Sequence, residues 1–488
     1  MVNLIKNELK KIFHKKAIYI ILIIAIVFMV LNIVITKYLK NSIMNLNYEN
    51  DVEYYTSLLN DLDKNSPTYK EEYNYAKSQL EEAKLLQKYD ADSWQWQVIT
   101  SNTDKYIYPM IEAEGTENYN QLKKEYNIFV EQLNSGDWKT FVQAELNQIN
   151  EQIKLIESQE INQSAKELQL IEFNIRKQAL EWRLEKDIPY GNTNRNQIIT
   201  QWEESKKELE SILQQEKNKP LTYEEKYSKQ NVEETVKLCE YYIKNNLSEN
   251  IALVDFNERW NLASEADSSL INVYSNSDLF IIIAIVVIAG TIVSEEFNKG
   301  TIKLLLVRPF KRVKILIAKF IACLIVLGVV YVVITIAQFI CGGIAKGYGD
   351  YVGKVYYYKF NTNSVQEINT VKYMILSGLA ILPQYLLLMT LAFSLSVLFI
   401  NSPIAIAMPL LGIMGAEIIN NLAYTFEKAK FLRFFVTPNW DLSKFLFGKL
   451  PKFEPISLPF SITICAIYFV VMLVGSMYVF KRREIKNI

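Results

Sequence analysis

Apolar and polar positions along this chain fall into two regimes. From Ala17 to Thr36 there are 20 consecutive uncharged, mostly apolar residues. At about 1.5 Å rise per residue, that run crosses a hydrocarbon layer roughly 30 Å thick. Further apolar runs at 279–294, 315–344, 373–400, 402–422 and 457–480 predict five more membrane helices, six in all. Lys6, Lys10, Lys11, Lys15 and Lys16 precede the first run, as in a secretory leader. The run is longer than a leader's apolar core and no small-x-small cleavage site follows Thr36, so it predicts an uncleaved signal anchor.

Between the first two runs the pattern changes. Leu146, Ile149, Ile153 and Ile156 recur at i, i+3, i+7 and i+10, and Leu168, Ile171, Ile175 and Trp182 at i, i+3, i+7 and i+14, which are heptad seams. Glycine and proline are scarce there. Ser66-Pro67 and the capping box Thr222-Tyr-Glu-Glu225 read as helix starts, and the stretch from Pro189 to Asn194 as a turn between helices. The expectation is an antiparallel, coiled-coil-like helical domain over 37–276.

Charge separates the same two parts. The chain is formally neutral, with 53 Lys+Arg and 53 Asp+Glu, yet residues 41–276 hold 42 acidic and 25 basic side chains, a net of −17. The remainder holds 11 and 28, a net of +17. This excludes an ordinary soluble globular protein. Of the four cysteines only Cys239 lies in the acidic block, so no disulfide forms within it. The net −17 also favours attraction of a cationic or amphipathic ligand, beside the plainer reading that these charges are solvated helix faces.

The Lys/Arg bias of the short flanks orients the spans. Five lysines before the first span place the N-terminus in the cytoplasm, and six crossings return the C-terminus, Lys481 to Lys486, to the same side. The loop carrying Lys299, Lys303, Arg308, Lys311, Arg312 and Lys314 then falls inside. The loop 423–456, with six basic residues, is predicted outside against the bias, which suits a partly re-entrant segment. All seven tryptophans fall on the outer side of this scheme. The expected organisation is an amphipathic interfacial helix at 1–16 (Ile5, Leu9, Ile12 and Phe13 on one face), a first span at 17–36 and an extracytoplasmic domain at 37–276. Five spans follow within 277–480, with a cytoplasmic loop at 295–314, and the tail is 481–488. The fold class is an all-α membrane protein.

Residues 294–319, SEEFNKGTIKLLLVRPFKRVKILIAK, are the most informative. Gly300 suits a left-handed helix stop and Thr301 a cap for the next helix. Ile302 to Val307 is too short to cross a membrane and too apolar for a free loop, and Pro309 ends it by pushing Arg308 out of helical space. Here the sequence resembles the type-2 ABC exporter permeases (ABC-2), whose second and third spans are joined by E-x-x-x-G-T-[IL]-x-x-L-L-x-x-P-x-x-R-x-x-[IL]. In this chain that pattern is Glu296, Gly300, Thr301, Ile302, Leu305, Leu306, Pro309, Arg312 and Ile315. The resemblance covers the apolar half; the long acidic insertion after the first span departs from many members.

The resemblance implies a coupling helix docking into a nucleotide-binding subunit, with Glu295, Glu296, Gly300, Thr301, Leu305, Arg308, Pro309 and Arg312 as the ATPase-coupling residues. It also implies a homodimer, or a heterodimer with a similar permease, in a bacterial plasma membrane, served by two copies of a separate ATPase that holds ATP and Mg. The cargo expected is an amphipathic compound or peptide antibiotic. By residue chemistry, Glu295 and Glu296 are set either to contact the ATPase or to pair with Arg308 or Arg312. No P-loop is present: neither Gly353-Lys354-Val355 nor Gly448-Lys449-Leu450 fits. With one histidine, His14, and no C-x-x-C, there is no triad or His-based zinc site, so no catalysis, no cofactor and no metal are expected in this chain. Its environment is the lipid bilayer, and nothing points to nucleic acid. Asn32, Gln338, Gln384 and Glu417 are polar exceptions inside apolar runs and mark a possible substrate pathway. The alternative is a membrane-anchored sensor or scaffold whose outer domain binds a ligand without transport.

Overall fold

The computed structural model describes residues 1–43, 48–159, 162–191, 193–247, 268–302, 310–346, 354–425, 427–448 and 456–483. It is mainly helical. In chain order the helices are α1 (Val2–Phe13), α2 (Lys16–Ile43), α3 (Tyr48–Asp61), α4 (Tyr69–Leu86), α5 (Trp94–Asn102) and α6 (Tyr108–Glu112). Next come α7 (Tyr119–Asn134), α8 (Trp138–Ser158), α9 (Gln163–Lys186), α10 (Asn194–Asn218), α11 (Tyr223–Lys244), α12 (Ser268–Thr291) and α13 (Ser294–Asn298). The last four are α14 (Arg312–Lys346), α15 (Thr370–Phe399), α16 (Ser402–Thr425) and α17 (Leu458–Arg482). The chain divides into two compact units, one of residues 1–36, 221–231 and 252–488, the other of 37–220 and 232–251.

The first unit is apolar. Among the described residues four helices are long and apolar enough to cross a membrane: Arg312–Cys341, Thr370–Phe399, Ser402–Asn420 and Leu458–Arg482. A fifth is formed if α1 and the start of α2, bent by 58° at the break between them, count as one span, and Asp278–Thr291 is apolar but shorter. That shorter helix is central. Ile281, Ile282, Ala284, Ile285, Val286, Ile288 and Ala289 on α12 are all buried, and it packs against α14, α15 and α16. A helix apolar on every side finds its place inside a bundle. Small residues let the backbones approach: a Cβ on Gly290 would lie 3.0–3.2 Å from Ile406 and Ala405 of α16. On α15, a Cβ at Gly378 would collide with the Tyr331 hydroxyl of α14.

One element departs from the all-α expectation. Between α14 and α15 an antiparallel hairpin pairs β1 (Lys354–Lys359) with β2 (Ser364–Asn369), in register from Lys354 opposite Asn369 to Lys359 opposite Ser364. Val355, Tyr357 and Ile368 pack on one face with Tyr373, Leu376 and Leu446. β-branched and aromatic residues favour a pleated surface, and Asn363 turns the chain at φ 46°.

The loop after α16 is tied into the bundle. Trp440 is 7% exposed and belongs to the same apolar cluster as the long helices. Asn439 is fully buried: its Nδ2 donates to the Arg433 and Phe435 carbonyls, and its Oδ1 accepts from the Ser461 hydroxyl of α17. The Leu442 N–H donates to the Ala380 carbonyl, 3.2 Å away, beside Pro383, whose missing N–H loosens the α15 ladder.

The second unit is a stack of amphipathic helices. Leu146, Ile149, Ile153 and Ile156 of α8 are buried against α9, each contributing about 2 kcal/mol by removal from water. Ile175 and Trp182 of the second seam are buried, Ile171 is half-buried, and the Leu168 side chain lies outside the description. In the segment 221–231, which belongs to the first unit, the capping box forms: Thr222 N–H donates to Glu225 Oε2 at 2.6 Å and Glu225 N–H to the Thr222 hydroxyl at 3.3 Å. At the other predicted start the helix begins later, at Tyr69. Ser66 and Thr68 hydroxyls sit 2.8 Å apart, and Thr68 reaches Glu72.

Candidate functional site

Residues 295–314 are described at their two ends. Leu305, Arg308 and Pro309 lie outside the described residues, while Glu295, Glu296, Gly300, Thr301 and Arg312 lie within them. α13 begins with a serine pin. Ser294 N–H donates to the Ser396 hydroxyl of α15, and the Ser294 hydroxyl lies 2.6 Å from that of Ser402 at the start of α16. Gly300 takes φ 67° with open space around its Cα, the left-handed stop that glycine adopts without strain. The Thr301 hydroxyl donates back to the Glu296 carbonyl at 3.3 Å, while the helix it is expected to cap lies outside the described residues from position 303 on. Ile302 is then fully buried in the bundle.

Both glutamates find lysines; Arg312 pairs with neither, and Arg308, the other arginine expected as a partner, lies outside the described residues. Glu296 accepts from Lys11 of α1 and from Lys319 of α14, both at 2.8 Å. Glu8 of α1 accepts from the same two lysines, Lys319 at 2.7 Å and Lys11 at 3.0 Å. Glu8, Lys11, Glu296 and Lys319 therefore form a closed ring of alternating charge that joins α1, α13 and α14. Lys319 is 0% exposed, and it also faces the Ile292 carbonyl at 3.4 Å. A second pair lies alongside, Lys15 to Glu295 at 3.0 Å, with Lys15 also donating to Thr291 and Lys299 at 3.5 Å from Glu295. Arg312 instead donates to the Arg483 carbonyl at 2.8 Å, and Arg483 donates to the Val397 and Leu398 carbonyls at the end of α15.

The ring needs its balance. Burial raises the Glu8 carboxyl, but the adjacent Lys319 and Lys11 outweigh that and hold its pKa below the ordinary value. Partial burial lowers Lys11, and Glu296 with Glu8 more than reverse it, so its pKa is raised. Two cations and two carboxylates cancel, so no net charge is buried. The local sequence announces this in one place only. Lys319 counts as one of several positive flanking residues, and Glu8 interrupts an apolar stripe. The signal was the stripe itself: Leu4, Glu8 and Ile12 recur at i, i+4 and i+8, so an acid sits at the centre of the buried face of α1.

Of the proposed pathway residues, Gln338 is buried at 1% exposure and Gln384 is half-buried on α15, beside Pro383. The side chains of Asn32 and Glu417 lie outside the description. Asp278 at the start of the apolar part of α12 was not among the candidates. It accepts from the buried Tyr385 hydroxyl of α15, whose ring lies 6.1 Å from that of Tyr331. Among the described residues no group of three or more His, Cys, Asp or Glu side chains is placed to hold a metal ion.

Long apolar helices packed around a central one, with the charged groups between them paired, define a helical membrane protein. The chain belongs to the family described as "Protein of unknown function (DUF2705)", which matches residues 238–486. It is similar to two proteins of Bacillus subtilis (strain 168). One, described as uncharacterized protein YhcI, is 31% identical over 203 residues, covering 41% of this chain and 64% of that protein. The other, described as uncharacterized membrane protein YdbK, is 30% identical over 205 residues, covering 41% of this chain and 76% of that protein. The chain thus spans just under two thirds of the length of the first relative. No solved structure matches.

Proposed function

We propose that this chain is the membrane-spanning permease subunit of an ATP-binding cassette exporter. It spans a bacterial plasma membrane six times with both termini inside, carries the acidic helical domain outside, and pairs with a second permease and two copies of an ATPase. The observation that carries the reading is the charge ring. A segment that receives force must pass it to the spans without yielding, and the ring fixes α1, α13 and the start of α14 on either side of residues 303–309. The E-x-x-x-G-T pattern from Glu296 to Thr301 supports the same assignment. A push on that segment reaches α15 and α16 through α13 and the serine pin, and α14 through Lys319. The cargo class consistent with an acidic outer domain is an amphipathic compound or peptide bearing positive charge.

The test is affinity purification of the full chain from its native membrane in mild detergent, with the eluate assayed for ATP hydrolysis. A co-purifying ATPase is expected with the wild type and is expected to be lost from Leu305→Asp, while the melting temperature of the variant stays that of the wild type. Absence of any ATPase from the wild-type eluate overturns the proposal and leaves the anchored sensor as the working alternative.

A further inference from the structure

The seam between α9 and α10 is closed at one end and open at the other. Near their connecting turn Trp182 and Trp202 meet edge to face, ring centroids 4.5 Å apart. Counting away from that pair in antiparallel register, the next such rung is Ile175 with Leu209, both buried, and one helical turn further is Ile171 with Leu213. Those two are only half-buried and, with Leu170, line a cleft of about 660 Å³. The heptad continues, but among the described residues the cover does not. The rim is acidic, carrying Glu167, Glu210 and Glu216 against one cation, Lys217. Glu210 is paired within its own helix to Lys206 at 2.8 Å, and both side chains are about a quarter exposed. Such a pair is worth little and readily exchanges for an incoming cation.

We infer that this cleft binds a basic amphipathic helix supplied by another peptide. One apolar side chain of the guest fills the open rung over Ile171 and Leu213, and its lysines or arginines meet the glutamates of the rim. The guest completes the coiled coil as a third strand, and the net −17 of residues 41–276 draws it in. As a capture site for exported cargo this rests on the permease reading; as a binding site it stands without it.

The experiment uses the full-length protein in detergent and a Leu/Lys amphipathic helical peptide with one photoactivatable residue on its apolar face. Cross-linked fragments are mapped by mass spectrometry. Adducts are expected within 167–174 and 210–217, reduced about tenfold in Glu210→Gln/Glu216→Gln and in Leu213→Gln. Wild-type-like melting by circular dichroism is the control for folding. Should Leu213→Gln fail to fold, the double glutamine variant, which alters only partly exposed side chains, carries the test alone. Adducts elsewhere only, adducts unchanged in the variants, equal labelling by a sequence-scrambled peptide of the same charge, or equal labelling by a Leu/Glu helix would each overturn the inference. None of these outcomes bears on whether an ATPase co-purifies, so the two proposals fail separately.

Discussion

Each unit of this protein buries an ionic network, and the two are built differently. In the apolar unit Glu8, Lys11, Glu296 and Lys319 alternate in a ring in which every lysine touches two carboxylates. In the acidic unit a single arginine does the gathering. Arg176 of α9 holds Glu145 of α8 bidentately, at 2.8 and 3.1 Å, and Glu203 of α10 at 2.8 Å, while also donating to the Tyr190 hydroxyl at 3.0 Å. Its neighbour Arg183 is 1% exposed and stacks on the Tyr190 ring at 3.9 Å, with Nε and Nη1 finding no hydrogen-bond partner among the described residues. Burial lowers Arg183, and burial lifts Tyr190 to about 12. The ring joins residues some 300 positions apart, whereas the arginine joins three successive helices. The first decides where distant segments meet; the second holds the alignment of segments that were already neighbours.

Removing Lys319 is the most damaging way to break this contrast. Lys319→Met leaves Glu8 and Glu296 buried with Lys11 alone between them, a loss of about 3–5 kcal/mol. It should appear as a large fall in melting temperature, together with new protease sensitivity within α1. Adding Glu8→Met to it should recover most of the loss, because a balanced apolar replacement costs far less than an orphaned charge. A double variant no more stable than the single would show that the ring is not a unit. Arg176→Met should cost less, about 2–3 kcal/mol, since its side chain is 26% exposed and water can reach the glutamates. Hydrogen exchange should then quicken in α8 to α10 and remain unchanged in α13.

Local caps matter less than either network. Thr222→Ala removes half of the capping box and should cost about 1 kcal/mol, seen as faster amide exchange in the first turn of α11 only. The smallest effect expected is that of pH. A carboxyl held below its ordinary value contributes stability above its unfolded pKa, and that contribution is lost as acid drives pH through the lower, folded value. For Glu8 the loss begins below about pH 4.5, and for the raised Lys11 it begins above about pH 10.5. The melting temperature should therefore stay flat from about pH 6 to 9 as far as the ring is concerned. A transition near neutrality that disappears in Glu8→Gln would contradict the assigned charges.

What the sequence made legible follows from how local each signal is. The seam at Leu146 to Ile156, the box at Thr222 and Glu225, and the left-handed Gly300 each depend on residues within a few turns, and each has its counterpart in the structure. The β hairpin was readable in principle, since Val355 to Tyr358 is a run of strand formers followed by Asn361-Thr362-Asn363. Between two long apolar helices it passed for a loop. The partners of Glu295 and Glu296 were not readable. Arg308 and Arg312 lie close in sequence, and proximity along the chain is a poor guide where helices 300 residues apart pack together.

Because each charge of the ring touches two of the opposite sign, its members are bound to one another in descent as well as in space. A lineage that neutralises the position of Lys319 recovers the balance when the position of Glu8 or that of Glu296 loses its acid too. Relatives that align over both segments should therefore lose Lys319 together with one of its two acids, with intermediates rare. The first residues of the chain, easily dismissed as an unstructured leader when relatives are trimmed for comparison, would then carry part of the family's ancestry.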